Sequence, residues 1–157
     1  MRIIVDDLSG PQIAGLLMAH AQLMEAITPR ERFCHYLPLD GLRRPDVTVW
    51  SAWDDDTLVG CGALRALGDG HGEIKSMHTL KARRGGGVGT AILATILAEA
   101  RGRGYRRVSL ETGDWDEFRA VRAFYERHGF VRGEAFGDYV GTPASAYYTM
   151  ELAPEAA

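Results

Sequence analysis

Residues 83–90 read Arg-Arg-Gly-Gly-Gly-Val-Gly-Thr, and an amphipathic run over residues 91–100 follows without a break. Four glycines in five positions offer bare backbone and no packing atoms, at an entropic cost when the chain is ordered. Where a helix begins, its first N–H groups find no partner inside it, and the aligned peptide dipoles add about half a positive charge. Such an end favours a phosphate or pyrophosphate, with Arg84 as a cation beside it. The same residues also read as a flexible turn into a surface helix, so the flanking sequence has to decide. Two phosphate loops are excluded at once. The P-loop needs Lys before its Ser or Thr, and Gly89 precedes Thr90; the dinucleotide fingerprint needs Gly or Ala where Ile92 stands.

The elements that must position this loop alternate between strand and helix. Residues 2–6 are a short β-rich run. Ser9 then reads as an N-cap, with Pro11 in the first turn and Gln12 completing a capping box. Ile13, Leu16, Leu17, Ala21, Met24 and Ile27 recur at helical spacing, and Thr28-Pro29 ends that helix. Residues 30–45 read as irregular, with a short helix near 39–42, in a position that suits a substrate pocket. Residues 46–53 and 57–67 are β-rich, and the acidic turn 54–56 between them predicts an antiparallel hairpin. Gly60 and Gly62 leave one face of its second strand bare, open to close packing.

A third strand over 73–80 delivers the chain into the glycine loop. The helix that follows keeps Val88, Ile92, Leu93, Ile96, Leu97 and Ala100 on one side and stops at Gly102 or Gly104. After this crossover, the strand over 107–111 is expected parallel to the 73–80 strand. Residues 114–117 can cap a further helix with Phe118, Val121, Phe124 and Tyr125 on its apolar face and Gly129 at its end. The final strands are expected at 130–131 and 146–152, and residues 153–157 as a loose tail.

The chain has 157 residues, 46% hydrophobic and 25% charged, the size and balance of one globular domain spanning 1–157. No apolar stretch reaches the roughly 18 residues of a membrane span, and residues 1–7 lack a signal-peptide layout, so a cytoplasmic protein with no membrane partner is expected. Cys34 and Cys61 are far apart in sequence, which points to reduced thiols with no disulfide and no metal site. A net charge of −3 argues against nucleic acid as a partner, although Lys81, Arg83 and Arg84, and again Arg101, Arg103, Arg106 and Arg107, form local basic clusters.

The motif Arg84-x-x-Gly87-x-Gly89 resembles the acyl-CoA pyrophosphate loop of the GNAT superfamily of N-acetyltransferases, whose pattern is Gln/Arg-x-x-Gly-x-Gly/Ala. Downstream, Ala123-Phe-Tyr-Glu-Arg-His-Gly-Phe130 resembles the superfamily's Leu/Phe-Tyr-Glu-x-x-Gly-Phe segment. The likeness covers about residues 73–131. It implies an α/β fold with a mixed central sheet of about six to seven strands flanked by about four helices, a single acyltransferase domain, and acetyl-CoA as cosubstrate. The implied activity is transfer of an acetyl group to a primary amine by direct attack in a ternary complex; the alternative is a non-catalytic acyl-CoA-binding module of the same fold. Self-association as a homodimer is also common in the family.

The resemblance assigns residues too. Arg84, Gly85, Gly86, Gly87, Val88, Gly89 and Thr90 would hold the pyrophosphate, with Met77, His78 and Thr79 along the pantetheine arm and a backbone N–H near His78 for the oxyanion. An amine with a pKa of about 10.4 must lose a proton before it attacks. Glu73 and Glu111 each match the base of one branch of the superfamily; Glu73 is the preferred candidate, Glu111 the alternative and His78 a third. Tyr125 is the candidate acid for the departing thiolate, a phenol of ordinary pKa about 10. Taken alone, Tyr125 also reads as core, Glu73 as half of a salt bridge, and Glu111 as a loop cap. Strict alternation would set Glu73, Lys75 and Met77 on one face, and Ile74, Ser76 and His78 on the other. Where many relatives carry Asn, this chain has Phe118. His35, Tyr36, Trp50, Trp53, Trp115 and Tyr139 are candidates for an acceptor pocket.

Overall fold

A computed structural model describes residues 1–28 and 39–152. Cys34, His35, Tyr36 and the 153–157 tail lie outside these described residues. Seven strands, β1 (Arg2–Val5), β2 (Val47–Asp54), β3 (Thr57–Gly68), β4 (His71–Thr79), β5 (Arg107–Gly113), β6 (Val131–Gly133) and β7 (Ser145–Glu151), join in the order β1-β2-β3-β4-β5-β7-β6. Every neighbouring pair is antiparallel except β4 and β5, the parallel pair expected across a helical crossover.

That parallel pair matters most. β4 and β5 are in register only over His71–Arg107, Gly72–Val108 and Glu73–Ser109, after which they part, although β4 continues to Thr79 and β5 to Gly113. Past that point each strand keeps its outer neighbour, β3 for one and β7 for the other, so a wedge opens in the middle of the sheet.

Among the described residues, four helices flank the sheet: α1 (Pro11–Ile27), α2 (Leu39–Leu42), α3 (Val88–Gly102) and α4 (Arg119–Arg127). Ile13, Leu16 and Leu17 of α1 and Leu42 of α2 cluster with Val49, Leu58, Cys61 and Ala63. The opposite face carries α3 and α4, whose Val88, Ile92, Leu93, Ile96 and Tyr125 cluster with Val59, Leu64, Ile74, Leu110 and Tyr148. The bare strip at Gly60 and Gly62 is where α3 settles. A Cβ on Gly62 would stand 2.5 Å from Met77 Sδ and 2.8 Å from Ile92, and one on Gly60 2.8 Å from Val88.

Three local expectations are corrected. Ser9 does not cap α1: Gly10 holds the N-cap position without a side-chain bond, while the Ser9 hydroxyl donates to Asp7 at 2.6 Å. Strict alternation also fails along β4. Ser76 takes a left-handed φ of 56° and the register against β3 shifts between Cys61 and Ala63, so a bulge intervenes. Met77 therefore joins Ile74 on the α3 face, whereas His78 pairs across from Cys61 on the α1 face, with Lys75 across from Ala63 and Glu73 across from Arg65. One inserted residue has reversed the side of everything after it.

The helix expected from residue 114 also starts later. A 3-10 turn over Asp116–Phe118 precedes α4, and Asp114 binds Arg132 at 2.6 Å instead of capping. Among the described residues, no helix is long and apolar enough to cross a membrane.

Candidate active site

The glycine loop follows directly from the end of β4. The Leu80 N–H donates to Val59 O at 2.8 Å, tying the strand end to β3, and a 3-10 turn over Lys81–Arg83 leads into the loop. Gly85 and Gly87 have φ of 80° and 88°, a region that costs other residues their Cβ clearance. Gly87 is the N-cap of α3, and the first intrahelical bond runs from the Ala91 N–H to Gly87 O at 3.0 Å. The N–H groups of Val88, Gly89 and Thr90 thus precede the helical ladder and face outward from its positive end.

A cavity of about 330 Å³ sits over them, lined by Arg84, Gly85, Gly87 to Thr90, and Arg127 of α4. Gly86 turns away from this lining and donates its N–H to Arg83 O at 3.4 Å. Arg83 lines it as well, held to Asp54 at 2.6 Å, so the cavity carries three guanidinium groups and a row of amide donors, the donor set a pyrophosphate requires. His128 accounts for the spacing between the two helices. Its Nδ1 is 2.7 Å from Phe124 O and so donates to it, leaving Nε2 to accept the Thr90 hydroxyl at 3.1 Å.

From the loop a cleft of about 610 Å³ runs inward between β4 and α4, with Met77, His78 and Thr79 on one wall and Phe118, Val121, Phe124 and Tyr125 on the other. His20 and Met24 of α1 close its far side. Phe118 takes the position where relatives often have Asn. It is buried edge-on to Trp115, at 4.9 Å between centroids, and over Gly113, where a Cβ would meet it at 2.5 Å. The wall there is apolar instead of hydrogen-bonding.

At its inner end the cleft meets a smaller cavity of about 120 Å³ inside the β4–β5 wedge, lined by Lys75, Ser76, Leu110, Glu111, Thr112 and Trp115 and again by His20 and Tyr125. The Tyr125 ring is 5% exposed, and burial pushes its phenol well above the ordinary value. Glu111 accepts the Ser145 hydroxyl at 2.6 Å and faces the wedge.

Glu73 is placed differently. It is 2% exposed and outside the cavity lining, behind Lys75, whose ammonium is 3.3 Å from Oε2. The Tyr139 hydroxyl donates to the same oxygen at 2.6 Å and accepts from Lys75 at 3.0 Å. Burial together with the Glu73 and Glu111 charges drives the Tyr139 phenol far upward. His20 and His78 meet through their Nδ1 atoms at 3.2 Å; burial lowers both to about 4, joined for His20 by the charge of His78 and for both by that of Arg84.

Of the aromatic candidates for an acceptor pocket, Trp115 lines the wedge and Tyr139 covers Glu73. Trp50 is core, and Trp53 packs beside the α1 cluster with its indole N–H on Ser51 at 2.9 Å. Cys61 is fully buried with its thiol pushed up to about 12, which makes it inert. His20 and Arg127 were not picked out by sequence reading. Arg127 lies two residues past Tyr125, on the helix that flanks the loop, a position from which it could have been found.

Residues 13–130 match the acetyltransferase (GNAT) family, and over 152 residues the chain is 45% identical to the uncharacterized N-acetyltransferase YsnE of Bacillus subtilis, covering 97% of this chain and 100% of YsnE. The chain belongs to the GNAT family. Its fold superposes on a Klebsiella pneumoniae protein described as an acyl-CoA N-acyltransferase, with TM-score 0.78 and 26% identity, covering 96% of this chain and 97% of that one. An aminoglycoside 6'-N-acetyltransferase crystallised with coenzyme A shares the fold over all of both chains, with TM-score 0.75 and 18% identity. The protein is accordingly a GNAT N-acetyltransferase with acetyl-CoA as its cosubstrate. The residues present fit that cosubstrate: an anion cavity of outward-facing amides and three guanidiniums opens into an apolar-walled cleft that ends at the wedge.

Proposed function

We propose that the protein transfers the acetyl group of acetyl-CoA directly to a primary amine, with both substrates bound at once and meeting in the β4–β5 wedge. The observation that carries this reading is the junction of the two cavities: the cleft that leads from the glycine loop and the wedge that holds Glu111 share Tyr125 on their common wall. The pyrophosphate rests on Val88, Gly89 and Thr90 with Arg84 and Arg127 beside it, and the pantetheine arm follows Met77, His78 and Thr79 inward.

The wedge has the charge to draw an ammonium group. Glu111 lines it and Glu73 lies behind it, against the positive charge of Lys75. In this reading Glu111 receives the amine and takes its first proton. Glu73, already engaged by Lys75 and Tyr139, fixes the position of Lys75. The lone pair of the amine then attacks the acetyl carbon, and the oxyanion is held by a backbone N–H of the β4 bulge near His78, where β5 no longer pairs. When the C–S bond breaks, Tyr125 gives its proton to the sulfur.

The test is thiol release from acetyl-CoA in the presence of phenethylamine, spermidine, kanamycin and a lysine-containing peptide, each measured against an amine-free control. Amine-dependent release, with matching acetylated product, is expected for at least one amine class. Tight binding of acetyl-CoA with no amine-dependent release across the panel would sink the reading. Replacing Glu111 with Gln is expected to raise KM for the amine and to leave acetyl-CoA affinity within about twofold.

A further inference from the structure

The cleft and the wedge share six residues: His20, Met24, Met77, Phe118, Val121 and Tyr125. Two of the six ionise, Tyr125 on α4 and His20 on α1, so they stand on opposite sides of the place where thioester and amine meet. Tyr125 serves the leaving thiolate. The transfer also needs an acceptor for a proton, because the nitrogen of the tetrahedral adduct carries a positive charge until it loses one.

His20 comes to this position with a partner. Its Nδ1 is 3.2 Å from Nδ1 of His78, with the ring centroids 4.9 Å apart and the planes at 58°. Two imidazole nitrogens this close form a hydrogen bond only when one carries the proton and the other presents its lone pair. The donating ring is then left with a bare Nε2, and the accepting ring carries its proton on Nε2. Whichever way the bond runs, the pair has one basic nitrogen and one proton-bearing nitrogen at its two ends. A proton taken up at the bare end can cross the Nδ1 bond and leave from the other.

The groups around the pair keep its lone pairs unprotonated. Lys75 of β4, Glu111 of β5, Glu117 of the 3-10 turn, Tyr125 and Arg127 of α4, and Arg84 of the loop line the same two cavities. Burial and Arg84 favour neutral imidazoles in the free protein. A pyrophosphate on Arg84 offsets that cation and raises the proton affinity of both rings as acetyl-CoA binds.

We propose that His20, hydrogen-bonded to His78, is the catalytic base that takes the proton from the amine nitrogen of the tetrahedral adduct. The proposal rests on the direct-transfer reading. The C–N bond has formed with the electron pair of the amine, and the carbonyl pair has moved to oxygen. One N–H proton passes to Nε2 of His20, bare when the His20 Nδ1–H donates to His78, the oxygen pair re-forms the carbonyl, and the C–S pair leaves on sulfur, which takes the Tyr125 proton. The imidazolium then returns a proton to the Tyr125 phenolate through water, and both groups are restored.

The test uses the full chain, acetyl-CoA and whichever of the four panel amines wild type acetylates fastest. Replacing His20 with Gln keeps a helix-forming side chain of similar length that accepts no proton. It is expected to lower kcat by about 100-fold or more, with acetyl-CoA Kd within about twofold. His20→Ala is expected to regain activity when imidazole is added, which a structural role would not allow. His78→Gln breaks the relay while leaving a ring at position 20, and is expected to lower kcat less and to displace the acidic limb of its pH profile. If His20→Gln folds and keeps kcat within threefold of wild type, or if His20→Ala gains nothing from imidazole, the proposal is overturned. A wild-type protein that binds acetyl-CoA but acetylates none of the panel amines fails the transfer reading itself, and the proposal with it.

Discussion

Replacing Tyr125 with Phe removes a single oxygen and keeps the ring. That ring is 5% exposed, edge-on to Phe124 and Phe130 at centroid distances of 5.1 and 5.6 Å, and all of this packing survives the change. Stability should therefore change by less than about 1.5 kcal/mol, as for a volume-conserving core swap. The kinetic effect is larger. A positioned general acid contributes about 10²- to 10⁴-fold, or roughly 2.7 to 5.4 kcal/mol at 1.36 kcal/mol per tenfold. Burial pushes the Tyr125 phenol above its ordinary range, which weakens it as an acid and sets the expectation near the lower bound, about 10²-fold in kcat. The protonated phenol is the working form and its pKa is raised, so this group causes no loss of kcat as pH climbs toward about 10. The assay is steady-state thiol release, with acetyl-CoA Kd measured by calorimetry. A variant with kcat within threefold of wild type, or one whose loss lies in acetyl-CoA affinity, would refute the role of Tyr125.

Other outcomes follow from single contacts. Replacing the exposed Arg84 with Ala should weaken acetyl-CoA binding by about 1–2 kcal/mol, roughly 5- to 30-fold, and flatten its salt dependence; unchanged affinity across a salt series would move the pyrophosphate elsewhere. Gly62→Ala drives a methyl into Met77 Sδ and Ile92, and a cost of about 1–3 kcal/mol, or roughly 3–10 °C in Tm, should appear in a melting curve. Lys75→Met strands the carboxylate of Glu73, 2% exposed, and should cost about 3–5 kcal/mol in urea unfolding, much of it regained by pairing the change with Glu73→Leu. The His20–His78 pair fixes a pH dependence of stability. Both folded-state values are lowered from 6.5 to about 4, so the unfolded chain binds more protons between these limits, and stability present above 6.5 is lost as pH falls toward 4. The urea midpoint should drop through that window, and the double Gln variant should flatten the slope, leaving the part that His71, also lowered by burial, contributes.

The parts of the site written in contiguous residues were legible before the fold was. Arg84 to Thr90 announces an anion site through its own glycines, and the bare strip of Gly60 and Gly62 announces close packing, which α3 supplies. Periodicity found the strands and helices because burial on one face imposes it. What escaped lies in contacts between distant residues or in backbone that departs from its period. His20 meets His78 across 58 positions and Tyr139 meets Glu73 across 66, and no local pattern encodes either meeting. The left-handed Ser76 reverses the parity of β4 without a glycine to mark it, which is why Met77 was set on the wrong face. Glu73 and Glu111 look equivalent as sequence. Only the parting of β4 from β5 makes one line the wedge and leaves the other behind Lys75.

The most direct measurement is a crystal structure of the protein with coenzyme A and the N-acetylated product of its best amine. The expected result has the pyrophosphate about 2.7–3.2 Å from the N–H groups of Val88, Gly89 and Thr90, the sulfur beside the Tyr125 hydroxyl, and the amide nitrogen in the wedge between Glu111 and His20. Coenzyme A bound away from the glycine loop, or product bound outside the wedge, would contradict it.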